Sequence, residues 1–377
     1  MIPVNEPLLA GKELDYVKDC IKTGWISSAG KYINDFECGW SAYCGKKYGI
    51  AVSNGTAALD VAVHCLGLKP GDEVIMPSFT IISCALAVIN NKGTPVLVDS
   101  DPKLWTMDVD QVAEKITPKT KAIMPVHIYG HPVDMDPILD LAEDHHLKII
   151  EDAAEAHGAE YHSHQNKTNS WRRCGSFGTI SCFSFYANKL ITTGEGGMAL
   201  TDDEALAMNI RAYRDLCFQP HRRFFHEHLG NNYRLTNIQA ALGVAQMARI
   251  DEIIAKKRWM AEEYTKSLQK VAEIQLPVEE PWAKSVYWMY ALVLSDTCGM
   301  DNTECAKRLY EKGVDTRPFF IGMHEQPALH KLGLFNNEKY PVAERIARQG
   351  FYLPSGLTIT KEQIDAVADA VYEVLNA

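Results

Sequence analysis

Short apolar runs alternate with helix-like stretches along residues 48–200 of the chain. This alternation is typical of parallel strands joined by crossover helices. We therefore predict an α/β fold in which a mostly parallel sheet of seven strands lies between helices. The predicted strands cover residues 48–52, 73–76, 95–98, 122–127, 147–151, 180–185 and 197–201.

The hydrophobic pattern changes after residue 200. Residues 202–215 and 236–268 have a helical pattern, and the second stretch is long enough to bridge from one domain to the next. Farther along, the pattern predicts strands at 286–293 and 313–317 and helices at 303–311, 341–349 and 361–375. We therefore predict a large α/β domain over residues 1–250 and a smaller C-terminal α+β domain over residues 251–377.

Polar residues stand at the carboxyl ends of several predicted strands. Ser53-Asn54-Gly55-Thr56 follows the first strand, Asp152 follows the fifth, and Ser184 lies near the end of the sixth. In an open α/β sheet, ligands bind outside the carboxyl ends of the strands. We therefore expect these side chains to meet at one edge of the sheet.

The composition is that of a globular protein with a sizeable core. Of the 377 residues, 46% are hydrophobic, which suffices for two domains of ordinary size. No apolar run approaches the roughly 18 residues that a membrane helix requires. The first residues lack the basic and apolar regions of a signal peptide, so we expect a cytoplasmic protein.

The charge and the cysteines limit the partners further. The chain has 38 Lys and Arg against 48 Asp and Glu, and the net charge of -10 disfavours nucleic acid. The ten cysteines include no CxxC pair, which favours reduced thiols over zinc or disulfides. His157, His162 and His164 suggest a metal, but His-x-His in a polar loop is usually solvated, so we expect no metal site.

The turn around Gly55 is a candidate phosphate site. Free amides of the first helical turn, together with the Thr56 hydroxyl, can hold a phosphate, although the same residues also suit ordinary helix capping. The chain lacks the GxxxxGK[ST] pattern, and Ala199 stands where GxGxxG would need its last glycine. A nicotinamide dehydrogenase is therefore a disfavoured alternative.

Lys189 and Asp152 are candidates for cofactor chemistry. Lys189 follows a short strand and precedes the glycine-rich turn 194–197, where a closed pocket would lower its pKa and free an amine nucleophile. A surface lysine is the alternative. Asp152 ends an apolar strand and needs a cationic partner, such as a protonated pyridine nitrogen, unless it only caps a helix.

Several motifs in a fixed order give the chain a family resemblance. They are Trp25-Ile26-Ser27-Ser28, Ser53-Asn54-Gly55-Thr56, Glu151-Asp152-Ala153-Ala154, and residues 183–197, 232–241 and 353–355. With these motifs the chain resembles the DegT/StrS family of sugar-nucleotide aminotransferases. The resemblance covers nearly the whole chain. It implies pyridoxal 5'-phosphate (PLP) as cofactor and the aspartate-aminotransferase fold, also called PLP-dependent transferase fold type I.

The resemblance also implies roles for single residues. Lys189 would carry PLP covalently and move protons, Asp152 would pair with the pyridine nitrogen, and Glu155 would lie near the ring hydroxyl or the lysine. Many relatives have an aromatic residue after the threonine of a P-x-x-T segment, but here Thr80 is followed by Ile81. The cofactor ring would then pack on the aliphatic Ile81.

The implied phosphate ligands come from two subunits of a homodimer. Gly55, Thr56, Ala57 and Ser184 would belong to one subunit and Asn232 to the second. The implied substrate-binding residues are Trp25, Ser27, His221, Arg222, Arg317 and His324, although residues 221–226 could equally form a solvated loop. The longer stretch 162–174 is interpreted as a surface excursion.

The resemblance implies transfer of an amino group from L-glutamate to the C4 ketone of a nucleotide-linked 4-keto-6-deoxy sugar, for surface polysaccharide synthesis. Residues 126–132, 316–320 and 353–355 favour GDP-4-keto-6-deoxymannose as the acceptor. The alternatives are another keto sugar, aminated at C3 or linked to dTDP or UDP, and a non-catalytic binding or regulatory protein. Lys189 argues against the dehydratase branch, whose members carry histidine there.

Overall fold

The computed structural model describes residues 1–163, 170–219 and 221–375. In chain order its strands are β1 (Tyr48–Val52), β2 (Glu73–Pro77), β3 (Thr94–Val98), β4 (Thr120–Ile123), β5 (Lys148–Asp152), β6 (Glu160–His162), β7 (Trp171–Arg173), β8 (Ile180–Ser184), β9 (Gly197–Thr201), β10 (Ile274–Gln275), β11 (Ala283–Lys284), β12 (Tyr290–Leu294), β13 (Arg317–Pro318) and β14 (Gly350–Leu353).

The helices surround these strands. They are α1 (Glu13–Thr23), α2 (Lys31–Cys44), α3 (Gly55–His64), α4 (Ser83–Asn90), α5 (Val109–Lys115), α6 (Met135–Asp144), α7 (Glu204–Arg214), α8 (Asn237–Met247), α9 (Ile250–Leu268), α10 (Asn302–Glu311), α11 (Pro327–His330), α12 (Pro341–Gln349) and α13 (Lys361–Leu375). Among the described residues, no helix combines the length and apolar character needed to cross a membrane.

The central sheet has seven strands in the order β1-β9-β8-β5-β4-β2-β3. Strands β8, β5, β4, β2 and β3 run parallel, whereas β9 is antiparallel to both of its neighbours. The predicted mostly parallel sheet of an α/β protein is therefore confirmed. The carboxyl ends of β1, β5 and β8 meet at one edge, which is the edge where the sequence predicts a site.

Some predicted boundaries were wrong, each for a local reason. Strand β4 ends at Ile123 instead of residue 127, and Pro125 has no N–H for a strand ladder. The predicted helix 236–268 is two helices, because Arg249 leaves helical geometry with φ -115° and ψ 12°. Strand β12 starts only at Tyr290, since Tyr287 adopts a left-handed φ of 45°.

A second sheet and a second core lie in the C-terminal part. Strands β10-β12-β14-β13 form this sheet, and β11-β6-β7 form a third, smaller one. The second core includes Met260, Tyr264, Tyr290 and Phe351, all at most 1% exposed. The predicted strand at 313–317 is reduced to a bridge between Val314 and Ile2 and the short β13.

The predicted excursion at 162–174 is described only in part by the structure. Strand β7 pairs with β6 inside the predicted excursion 162–174, while residues 164–169, including the predicted solvated His164, lie outside the described residues. The domain boundary at residue 250 stays a prediction.

Candidate active site

Helix α3 begins where β1 ends and forms one wall of the site. The Asn54 side chain caps the helix by accepting the N–H of Ala57 at 2.8 Å. The first N–H groups of a helix have no partner within it, so those of Gly55 and Thr56 remain for an anion. A phosphate contact at Ala57, which the sequence predicts, would have to displace this cap.

Gly55 lies against Ser184 at the end of β8. A Cβ atom at Gly55 would come within 2.8 Å of the Ser184 Cβ, so only glycine allows this approach. The Thr56 hydroxyl lies 2.8 Å from the Ser83 hydroxyl, which links the turn to α4. Two backbone amides and the hydroxyls of Thr56 and Ser184 thus form a cradle suited to a phosphate.

Asp152 is the last residue of β5 and is 2% exposed. One carboxylate oxygen accepts the Ala154 N–H at 3.0 Å, and the other accepts the Cys84 thiol at 3.3 Å. Burial raises the pKa of Asp152, and no ion pair to it is present among the described residues. A buried carboxylate that lacks an ion pair is stabilised by a cationic partner, so Asp152 is suited to bind a cationic group of a ligand.

Lys189 lies in the turn after β8, with its side chain only 10% exposed. Burial lowers the pKa of its amine, and the carboxylates of Glu155 and Asp152 oppose this effect. Its Nζ lies 3.5 Å from Glu155 Oε1 and 3.7 Å from the ring centroid of Trp288. The desolvated amine that the sequence predicts is therefore present at the same edge as Asp152.

Glu155 lies beside the lysine, which is one of the two positions that the resemblance implies. Its other carboxylate oxygen accepts the N–H of Tyr129 at 2.8 Å. Tyr129 adopts a left-handed φ of 52°, which is unusual for a side chain of this size and marks a strained position at the site. Burial raises the pKa of Glu155, and the Lys189 charge acts in the opposite direction.

Glu151, the neighbour of Asp152, has a structural role. Successive strand residues point to opposite faces, and Glu151 accepts hydrogen bonds from His127, Gly175 and Phe177, and also from Gly178 and Ser181. Burial alone would raise its pKa, but the bonds from His127 and the glycine amides lower it to about 2. The carboxylate is fully engaged by protein donors, which leaves Asp152 as the acid available to a ligand.

His324 is buried, and protein groups lie within hydrogen-bond distance of its ring. The ring is 4% exposed, its Nδ1 lies 2.7 Å from the Ser78 hydroxyl, and its Nε2 lies 3.2 Å from Glu344. Both ring nitrogens are therefore occupied by protein partners. Through these contacts the residue ties the turn at 322–325 to the end of β2, and its predicted role in substrate binding stays a prediction.

The other predicted substrate-binding residues are exposed in the single chain. Arg317 is exposed and forms a 2.5 Å ion pair with Asp315. Trp25, Ser27, His221 and Arg222 are exposed as well, and so are two of the predicted cofactor-binding residues, Ile81 and Asn232. Their predicted roles remain predictions, and that of Asn232 presupposes the predicted second subunit.

Trp288 and Cys84 contact the site, although no sequence pattern singles them out. Trp288 lies within the stretch predicted as a strand at 286–293, and Cys84 lies within another apolar stretch, so both have the pattern of core residues. Their contacts with Lys189 and Asp152 arise only from the tertiary fold. No local motif would have identified either one.

The site residues fit PLP, which has a phosphate, a pyridine nitrogen and an aldehyde carbon. The Gly55 cradle suits the phosphate, the unpaired Asp152 suits a protonated ring nitrogen, and the desolvated Lys189 amine suits the aldehyde. These three features lie at the edge formed by β1, β5 and β8.

Known proteins share this fold and these motifs. A model of the DegT/DnrJ/EryC1/StrS aminotransferase family matches residues 7–372, so the chain belongs to that family. The GDP-perosamine synthase of Caulobacter vibrioides is 42% identical over 99% of this chain and 98% of its own length. The dTDP-3-amino-3,4,6-trideoxy-alpha-D-glucose transaminase of Streptomyces venezuelae is 36% identical over 91% of this chain and 87% of its own.

A solved structure agrees with the sequence comparison. The structure of DesV from S. venezuelae matches this chain with a TM-score of 0.88 and 34% sequence identity. The match covers 97% of this chain and 95% of the DesV chain. The chain is therefore a PLP-dependent sugar-nucleotide aminotransferase with the fold of that family.

Proposed function

We propose that this aminotransferase moves an amino group from L-glutamate to the C4 ketone of GDP-4-keto-6-deoxymannose and forms GDP-perosamine for surface polysaccharide. The observation that carries the aminotransfer chemistry is the buried Lys189 amine at the same sheet edge as Asp152 and the Gly55 cradle. The GDP-linked sugar is supported by the similarity to the C. vibrioides GDP-perosamine synthase over nearly the full length of both chains.

Each residue of the site has a proposed task. PLP, when bound, supplies the electron sink. Lys189 holds the cofactor and, as a free amine, takes a proton from the donor and returns it to the product, which its lowered pKa favours. Asp152 keeps the ring nitrogen protonated, and the Gly55 and Thr56 amides with the Ser184 hydroxyl bind the phosphate.

A panel of acceptors tests the proposed substrate. We expect glutamate-dependent amination of GDP-4-keto-6-deoxymannose, with NMR placing the new amino group on C4. The same assay with dTDP- and UDP-linked keto sugars tests the alternative that the S. venezuelae relative favours, since that enzyme is named for a dTDP-linked 3-amino sugar. Turnover with those sugars and none with any GDP sugar would contradict the proposal.

We further propose that the active enzyme is a homodimer in which Asn232 of each subunit completes the phosphate site of the other. In the single chain Asn232 is exposed, and a bridge to Asp215 is the contact that it forms with other described residues; the loop 221–226 is exposed as well. An asparagine side chain in that state has donors free for a partner.

Mixed dimers test the shared site. Lys189→Ala and Asn232→Ala are each expected to be nearly inactive, but co-expression should restore about a quarter of wild-type activity, because half of the dimers then have one intact site. Lys189→Ala co-expressed with Asp152→Ala is the matched control and should restore none, since both residues belong to the same site. Absence of recovery in the first pair would contradict the shared site.

A further inference from the structure

The amine of Lys189 rests on the indole face of Trp288. The Nζ atom lies 3.7 Å from the ring centroid, well within the roughly 6 Å over which a cation is attracted to an aromatic face. Trp288 is 3% exposed, so water does not weaken this contact. The ring comes from the C-terminal part of the chain, just before β12, whereas the lysine follows β8.

The same indole also holds the backbone of the lysine turn. Its Nε1–H donates to the carbonyl oxygen of Asn188 at 2.7 Å, and Asn188 is the residue next to Lys189. A buried indole N–H normally finds such an acceptor. One side chain thus contacts both the main chain that carries the lysine and the amine at the end of its side chain.

Hydrogen bonds to its backbone hold Trp288 in place. Its backbone N–H donates to the Tyr129 carbonyl at 3.0 Å, and its own carbonyl accepts from the Lys257 amine at 2.7 Å. Lys257 also binds the Ser355 carbonyl, and Tyr129 donates its N–H to Glu155. The ring, Glu155 and the amine are therefore held by one connected set of backbone contacts.

We propose that Trp288 is a positioning residue for Lys189: its indole face holds the amine whenever it is not bound covalently, and its N–H fixes the turn that carries it. This inference rests on the proposed role of Lys189. A lysine of this kind alternates between a covalently bound and a free amine. Its side chain is long and flexible, so the free amine must be held at a defined position to transfer protons. The ring face on one side and Glu155 on the other define that place.

The contact with the Trp288 ring affects the pKa of the Lys189 amine. Among the described residues, the titratable groups that interact with it are Glu155, Asp152 and His157. An aromatic face favours the ammonium form, so its removal lowers the pKa of Lys189, and all three other groups stay in place. A tryptophan that only filled space would affect stability without changing this pKa.

Two variants separate the two contacts. Trp288→Leu removes both the aromatic face and the N–H to Asn188, whereas Trp288→Phe keeps a face and loses only that N–H, so the difference between the two variants reports on the face. The measurement is the rate at which full-length protein stripped of cofactor attaches added PLP through a borohydride-reducible bond, followed against pH. Because only the neutral amine attaches PLP, the pH dependence of the rate gives the pKa of Lys189. The plateau of the rate at high pH, where the amine is fully neutral, gives the reactivity of the positioned amine.

We expect Trp288→Leu to lower the plateau rate about tenfold to thirtyfold and to shift the profile to lower pH. Trp288→Phe should keep the profile near its wild-type pH and lower the plateau by a smaller factor. Trp105→Leu is the matched control, because Trp105 is an equally buried tryptophan with an unpartnered Nε1 that packs on Phe319. Its plateau and profile should match wild type.

A Trp288→Leu protein with the wild-type plateau and profile would overturn the inference. If that variant does not fold, a Trp288→Phe protein with an unchanged plateau rate overturns it instead. Failure of the proposed function is distinguishable, because it would show in the wild type as PLP that is not attached to Lys189. Attachment at Lys189 with no effect of either Trp288 variant would overturn the role of Trp288 alone.

Discussion

Replacement of Lys189 by alanine is expected to lower amino-transfer turnover by at least about 10³-fold. The variant loses the amine that attaches the cofactor and the acid–base group of both half-reactions, and the latter alone contributes roughly 10²- to 10⁴-fold. Lys189 is the lysine whose charge acts on the buried carboxylates of both Asp152 and Glu155, so the variant removes that amine from the site. Turnover of the purified variant with glutamate and the keto sugar is the measurement.

Lys46 provides the matched control for Lys189→Ala. It is another buried lysine, whose amine binds Asp202 at 3.0 Å and the Gly178 carbonyl at 2.9 Å. It precedes β1 and therefore lies at the opposite edge of the sheet from the site. Lys46→Ala is expected to reduce thermal stability but to keep PLP attachment. Wild-type turnover in Lys189→Ala, with an intact fold by circular dichroism, would rule out the assignment.

The second large effect is expected for Asp152→Ala. Removing one partner of a buried charge pair costs about 3–5 kcal/mol. We therefore expect roughly a 10²- to 10³-fold loss of PLP affinity or turnover, because the protonated ring nitrogen would lose its counter-charge. Asp152→Asn keeps the shape and removes the charge, so it should show most of the same loss. Equilibrium binding of PLP and turnover are measured together.

Glu151→Gln is the control for Asp152, since the two acids are adjacent on β5. Glu151 is fully hydrogen-bonded by protein donors, whereas Asp152 has no ion pair among the described residues. Glu151→Gln should lower the free energy of unfolding and leave the cofactor affinity of the folded protein near wild type. The assignment would be contradicted if Glu151→Gln lost PLP and Asp152→Ala retained it.

The fold was largely predictable because its signals are local. Helices α12 and α13 begin and end where predicted, and Pro341 marks the start of α12 at a position that suits proline. The break between α8 and α9 was missed because residues 248–249 are Ala and Arg, neither of which interrupts a helical pattern. The left-handed Tyr287 likewise has no signal in its residue type.

The site was predictable only where one short motif carries the chemistry. Asp152 and Lys189 follow strands that end at the same sheet edge, so sequence order and topology together bring them close. Trp288 reaches Lys189 from the far part of the chain, and His324 is occupied by Ser78 and Glu344, which come from different elements. Contacts of this kind depend on how the two parts of the chain pack together.

The most direct test of the account is to reduce the PLP-loaded wild-type protein with borohydride, digest it and map the modified lysine by mass spectrometry. We expect a phosphopyridoxyl group on the peptide that contains Lys189 and loss of the visible absorbance of the bound cofactor. A phosphopyridoxyl group on a different lysine, or none on any peptide, would contradict the assignment of Lys189 as the residue that carries PLP.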